Sequence, residues 1–256
     1  MKNQTDTPMR AVGVIAEYNP FHNGHAYQLK KAQELSGANY CIAAISGDFV
    51  QRGGPAVFDK YTRTAMALES GADLVVELPP IFASSSAEDF ASCGVALLDA
   101  LGVVSHLCFG SESGNLEELS SVADLLAAES EEYQQVLHQH LKDGYPFPQA
   151  RAAAFSFCSP KTDPELLSQP NNTLGIEYLK AIKKQKCSIT PVTIKRMGSG
   201  YHEAVISSDQ PMASATAIRA VLESRTVDDF KESNLLLASQ IPSAALNLAR
   251  TRLPLT

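Results

Sequence analysis

Two histidines three residues apart, His22 and His25, stand in the run Glu17-Tyr18-Asn19-Pro20-Phe21-His22-Asn23-Gly24-His25. At the start of a helix, residues three apart share a face, so both imidazoles can donate hydrogen bonds to one group. The group that suits paired donors at that place is a phosphate, because free backbone N–H groups and the helix dipole already favour negative charge there. Oxygens that gain charge during attack at the α-phosphorus of a nucleoside triphosphate are the expected target. Gly24 is expected to let the backbone approach a nucleotide without a Cβ in the way, and Pro20 to fix the loop before the helix. Metal ligation is the other chemistry open to two histidines. No third histidine or acidic ligand stands at helical spacing to complete such a site, and none is expected on the protein.

A second constellation, Ala213-Ser214-Ala215-Thr216-Ala217-Ile218-Arg219, lies far along the chain. At a helix start, the hydroxyls of Ser214 and Thr216 with the backbone N–H groups suit outer phosphates, and Arg219 suits a departing pyrophosphate. Alone, the same residues also read as an N-cap and a helix-face arginine. Between the two constellations, Ser46 to Gly53 offers Gln51 and Arg52 as grips for a carboxylate or phosphate. Lys60 and Arg63 open a helix, where cations oppose the dipole; an anionic ligand would explain them, as would a solvated helix start. Lys60 joins His22, His25 and Arg219 among the catalytic candidates. His202, beside Tyr201, either hydrogen-bonds a substrate or completes a loop.

These residues need a frame, and the apolar runs supply one. Ala11 to Ala16 suits a buried parallel strand, followed by a loop and a helix from about Gly24 to Leu35 that Gly37 stops. Tyr40 to Ile45 reads as a second strand, Tyr61 to Ser70 as a helix, and Leu74 to Leu78 as a third strand ended by Pro79-Pro80. A helix from about Ala87 to Leu101 and a strand at Ser105 to Phe109 continue the alternation. Short connections with right-handed crossovers then imply an α/β fold, a Rossmann-like doubly wound parallel sheet. Helical patterns at Leu116 to Ala128, Glu131 to Lys142, Arg151 to Phe157 and Leu174 to Lys184 pack beside it. Thr190 to Lys195 alternates like one more strand, and Ser214 to Glu223 begins a late helix with a serine at its N-cap. The histidine run therefore falls after the first strand, where such a sheet places its ligand. Residues 1–225 are expected to form the ATP-binding domain, and residues 226–256 to begin a helical C-terminal region.

With 256 residues, 45% of them hydrophobic, the chain can bury one large core, or one core and a helical appendage. No apolar stretch reaches the roughly eighteen residues a membrane span needs, and Met1 to Arg10 is polar, so a cytoplasmic protein is expected. Its five cysteines form no CxxC pair and read as reduced thiols, Cys41 and Cys108 within buried strands. A net charge of −7 does not favour holding a polyanion over a wide surface. The cations at Lys183, Lys184 and Lys186 read as the solvated end of a helix.

The histidine run and the helix start at Ser214, Thr216, Ile218 and Arg219 together resemble the HxGH nucleotidyltransferase superfamily, in which the counterpart of the late segment contacts the triphosphate. More narrowly, Gly13 to His25, Ser46-Gly47-Asp48-Phe49-Val50-Gln51-Arg52-Gly53, Asp59-Lys60-Tyr61-Thr62-Arg63, Ala72-Asp73-Leu74-Val75-Val76-Glu77-Leu78-Pro79, Phe109-Gly110-Ser111-Glu112, Pro170-Asn171-Asn172 and Gly200-Tyr201-His202-Glu203 resemble the tRNA(Met) cytidine acetate ligase family. The resemblance implies the superfamily's fold with added helices. It implies that acetate attacks the α-phosphate of ATP to give acetyl-adenylate and pyrophosphate, and that the acetyl group passes to N4 of the wobble cytidine of elongator tRNA(Met). It maps the ATP site onto Ile15, Ala16, the histidine run itself, Ala26, Tyr27 and Gln28, then Gly110, Asn171, Asn172, Arg196 and Met197. Gly110 follows an expected strand at the carboxyl edge of the sheet, and Asn171 or Asn172 either reads adenine or ribose or forms a polar turn after Pro170. Mg2+ is expected on the triphosphate by analogy with other phosphoryl chemistry. Family members continue past the point where this chain ends, into a region that helps grip the tRNA, and Asp48 replaces a less acidic residue, so the acetate pocket is expected to differ. Two other readings suit the same motif: adenylyl transfer to a phosphorylated vitamin, and nucleotide binding without catalysis.

Overall fold

The computed structural model describes residues 9–160, 162–196, 212–223 and 236–251. Its centre is a five-stranded sheet of β1 (Ala11–Ala16), β2 (Tyr40–Ser46), β3 (Leu74–Leu78), β4 (Val104–Ser111) and β5 (Thr190–Lys195), ordered β3-β2-β1-β4-β5 with every pairing parallel. The chain runs outward from β1 through β2 to β3, then returns to place β4 on the other side of β1. Connections therefore leave β1 and β4 in opposite directions, which opens a crevice at their carboxyl ends.

Side chains along each strand divide by the two-residue period of the pleat. Ala11, Ile15, Ile42, Ala44, Leu107 and Phe109 enter a core on one face, while Val12, Val14, Cys41, Ala43, Ile45 and Cys108 enter a core on the other. The first face is covered by α4 (Ala87–Ala100), α5 (Leu116–Ala128) and α8 (Pro170–Gln185). The second is covered by α1 (Asn23–Ser36), α2 (Lys60–Glu69), α9 (Ala215–Glu223) and α10 (Ser243–Thr251). Helix α4 lies close on β1: a Cβ at Gly94 would stand 2.6 Å from Ile15 Cδ1, so only glycine permits this approach. Burial pushes the thiols of Cys41 and Cys108 up to about 12, which keeps both protonated and inert in the core. All five cysteines are free thiols.

Most elements lie within a residue or two of their expected positions. Gly37 ends α1 in the left-handed conformation, with φ 64°. The lysines behave as a solvated helix end: Lys183 pairs with Asp124, Lys184 with Glu88, and Lys186 forms the left-handed C-cap of α8. Several elements differ, and the first two differences bear on the site. Helix α8 begins at Pro170 rather than Leu174, so Asn171 and Asn172 lie in its first turn. A proline at the first helical position needs no N–H partner, and this makes Pro170 a start and not a turn. Strand β4 continues to Ser111, which places Gly110 inside the strand and not after it. Between α6 (Glu131–Lys142) and α8, α7 spans Phe147–Cys158, four residues earlier than its expected start. A short α3 (Pro80–Ala83) and a 3-10 turn (Pro164–Leu167) are too brief to show periodicity in the sequence.

Apolar residues between 237 and 249 pack on the sheet's second face. Leu237, Ile241, Ala245, Leu246 and Ala249 share a core with Met66 and Ala67 of α2. No helix among the described residues is long and apolar enough to cross a membrane.

Candidate active site

His22 is the N-cap of α1, in an extended conformation with φ −145° and ψ 174°. Its ring folds back over the first turn, where Nδ1 accepts the N–H of Gly24 at 3.0 Å. His25, at the third helical position, accepts the N–H of His22 through its own Nδ1 at 3.3 Å. This is a capping box with histidines in both roles. A neutral imidazole accepts at one nitrogen and donates from the other, so the two bonds place both ring protons on Nε2. The rings stack with centroids 3.7 Å apart, and Tyr18 meets His25 edge-on at 4.8 Å.

Burial, then the charges of Arg196 and Arg219, lower the His22 pKa to about 3. Burial, His22 and Arg196 hold His25 well below its ordinary value. Both rings are therefore neutral near pH 7 and act as fixed hydrogen-bond donors, not proton carriers. The glycine between them makes room for the His22 ring: a Cβ at Gly24 would stand 2.8 Å from His22 Cε1.

The loop before α1 is tied down from several directions. Asn19 Oδ1 accepts the N–H of Val57 at 2.8 Å, and Asn19 O accepts Arg219 Nη1 at 2.7 Å. Arg219 Nη2 also donates to Thr216 Oγ1 at 3.0 Å, and Ser214 Oγ accepts the N–H of Ala217 at 3.1 Å, the expected N-cap of α9. The two constellations, some two hundred residues apart in sequence, thus meet through a direct Arg219–Asn19 bond.

Between them opens a cleft of about 680 Å3, a size typical of small-ligand sites. Its walls bring together Ile15 to Asn19, His22, His25 and Gln28 with Gln51 and Arg52, then Gly110, Asn171 and Arg196, then Ser214, Thr216 and Arg219. An adjoining recess of about 50 Å3 adds Gly24 and Tyr27. The carboxylate of Glu17 accepts the N–H of Gln51 at 3.0 Å and holds the lip formed by the loop after β2. Phe90, Phe109, Leu174 and Tyr178 make part of the wall apolar. Only Phe109 of these four stood in a motif; in sequence the others are ordinary core positions.

Other expected contacts fall elsewhere. Lys60 lies outside the cleft lining, its Nζ bonded to both carboxylate oxygens of Glu77 at 2.9 and 2.8 Å. Glu77 on β3 supplies the anion that offsets a cation at a helix start. Arg63 is fully buried and donates to the carbonyls of Phe58, Glu17, Ser46 and Gly47, so its charge is met by backbone oxygens and not by a ligand. Asn172 is also fully buried; its Oδ1 accepts the N–H groups of Glu112 and Ser113, and its Nδ2 donates to Gln169. Asp48 faces away as well, its carboxylate accepting the N–H of Lys60 at 2.8 Å. Pro20 and Phe21 are buried beneath the loop, Asn23 donates to Ser239 O at 2.9 Å, and Ala26 packs on the second core. Met197 and His202 lie outside the described residues.

A parallel sheet with paired neutral donors and flanking cations at its switch point defines an α/β protein of the architecture in which nucleotide phosphates meet a helix start. The model of the HIGH Nucleotidyl Transferase family matches residues 9–254, and the chain belongs to that family. It is 46% identical over 224 residues to a tRNA(Met) cytidine acetate ligase of Caldanaerobacter subterraneus subsp. tengcongensis, a match covering 87% of this chain and 55% of the relative. It is 41% identical over 242 residues to a ligase of the same name from Acetivibrio thermocellus, covering 94% of this chain and 57% of the relative. A crystal structure of Thermotoga maritima TmcAL bound with alpha-thio ATP superposes with a TM-score of 0.83 at 39% identity, over 95% of this chain and 56% of that one. The chain spans little more than half the length of these relatives.

Proposed function

We propose that the chain carries an ATP-dependent ligase activity that activates acetate as acetyl-adenylate and acetylates N4 of the wobble cytidine of elongator tRNA(Met). One carboxylate oxygen of acetate attacks the α-phosphorus of ATP, and the bond to the bridging oxygen breaks with departure of pyrophosphate. The cytidine amine then attacks the acetyl carbon, AMP leaves, and the amine loses a proton. The Nε2–H groups of His22 and His25 meet the α-phosphate oxygens as charge gathers on them. Ser214, Thr216 and the start of α9 hold the outer phosphates, and Arg219 with Arg196 offsets the charge of the leaving group. Asn171 and Gly110 border the nucleoside side of the cleft, and Gln51 and Arg52 stand at the lip for the acid.

The observation that carries this reading is the pair of neutral, oriented imidazoles flanked by Arg196 and Arg219, in a chain 46% identical to a protein of that name. Among the described residues no group of three or more His, Cys, Asp or Glu forms a metal cage. Mg2+ is expected on the triphosphate by analogy with other phosphoryl chemistry. A tRNA substrate puts the activity in the cytoplasm. The test is acetate-dependent exchange of labelled pyrophosphate into ATP, followed by the mass of cytidine recovered from elongator tRNA(Met). Exchange and an acetyl mass gain support the whole reading. Exchange that requires a phosphorylated acceptor in place of acetate would reassign the chain to cofactor adenylylation.

A further inference from the structure

Glu112 takes no part in the steps above, yet its carboxylate joins the residue after β4 to the first turn of α8. The N-cap of α8, Gln169, makes no side-chain cap bond, and Pro170 has no N–H to offer. The next two N–H groups both go to Glu112: Asn171 N–H to Oε1 at 3.2 Å and Asn172 N–H to Oε2 at 2.7 Å. A carboxylate from another element thus caps the helix and complements its dipole.

A third bond reaches toward the cleft. Asn171 Nδ2 donates to Glu112 Oε1 at 2.6 Å, while Asn171 Oδ1 accepts Arg196 Nη1 at 3.3 Å. A carboxylate only accepts and a guanidinium only donates, so the Asn171 amide can satisfy both neighbours in one orientation alone. The framework around it is braced in return. Asn172 Oδ1 accepts the N–H of Glu112 at 3.0 Å, and Ser111 O accepts the N–H of Arg196 at 2.9 Å. Asn171 and Arg196 both line the cleft, and Glu112 does not.

We propose that Glu112 is a positioning residue of the nucleotide cleft: by orienting the Asn171 amide it holds the Arg196 guanidinium where a bound nucleotide meets it. This rests on the reading that the cleft takes ATP. The experiment is equilibrium titration of the whole chain with ATP and Mg2+, comparing the unsubstituted protein, Glu112→Gln, Asn171→Ala and the double variant, each with its melting temperature. Glutamine cannot accept from Asn172 and Asn171 at once, and Asn171→Ala removes the amide while keeping the backbone N–H that caps the helix.

Each single variant should weaken ATP binding about tenfold, the scale of a lost bond to a charged group, with the double variant no weaker than either. A cap acting on stability alone would lower the melting temperature of Glu112→Gln with Kd unchanged, or weaken binding by the same factor in the Asn171→Ala background; either result overturns the proposal. Absence of ATP binding by the unsubstituted chain overturns the nucleotide reading and this proposal with it. Where Glu112→Gln does not fold, Glu112→Asp, one methylene shorter, replaces it in the same cycle, with the same outcomes expected and excluded.

Discussion

The rings of His22 and His25 lie stacked, 3.7 Å between centroids and 27° between planes, each with Nδ1 committed to a backbone N–H of the first helical turn. Helix capping and orientation of the two Nε2–H donors are therefore one arrangement. The bonds that satisfy the start of α1 are the bonds that aim both Nε2–H groups.

Replacing either histidine with alanine should lower the exchange rate by about a hundredfold or more while changing ATP affinity far less, because the donors answer charge that develops in the transition state. Steady-state exchange alongside equilibrium titration checks the split. Equal losses in rate and affinity would make the histidines ground-state ligands.

Gly24→Ala should mimic those variants without unfolding the protein. Alanine raises helix propensity by about 1 kcal/mol, but its Cβ would meet His22 Cε1 at 2.8 Å and displace the ring. Helicity by circular dichroism should hold while exchange falls at least tenfold. Activity near that of the unsubstituted chain would show that the His22 orientation does not matter.

The fold should weaken in acid below the ordinary histidine pKa of about 6.5. His22 and His25 are held neutral in the native state, His22 down to about pH 3. The unfolded chain therefore binds more protons as pH falls from about 6.5 toward 3, and stability declines over that window. The slope reaches about 1.4 kcal/mol per pH unit for each histidine. Urea unfolding at several pH values, with the double variant His22→Gln/His25→Gln, should show a shallower decline in the variant.

Lys60 and Arg63, one turn apart on α2, should behave differently. Arg63→Ala leaves four backbone carbonyls without their donor in a fully buried place, and should cost about 3 kcal/mol or more of stability. Lys60→Ala removes a partly exposed ion pair with Glu77 and should leave stability and exchange nearly unchanged. Chemical denaturation of both variants checks the contrast.

The order of strands and helices was legible because the central strands are buried on both faces and read as nearly continuous apolar runs, as in Ala11–Ala16 and Tyr40–Ser46. The histidine site was legible because its residues are contiguous and follow a strand. What stayed hidden depends on partners distant in sequence. Nothing near Arg63 says that its charge is met by carbonyls from the ends of β1 and β2, or near Lys60 that Glu77 of β3 stands opposite. Pro170-Asn171-Asn172 has the composition of a turn, and becomes a helix start because Glu112, about sixty residues earlier, supplies the cap. The close approach of Gly24 to the His22 ring was not legible either, since the direction of that ring has no signature in sequence.

The most direct test of acetate activation follows oxygen through the reaction. Acetate labelled with heavy oxygen at both carboxylate positions is supplied with ATP and elongator tRNA(Met), or with hydroxylamine as a substitute acyl acceptor. Attack at the α-phosphorus leaves one acetate oxygen on that phosphorus when the acyl bond is cleaved, so the AMP released should carry one heavy oxygen and the pyrophosphate none. Unlabelled AMP, or label appearing in orthophosphate beside ADP, would contradict the adenylate and remove the role given to His22 and His25.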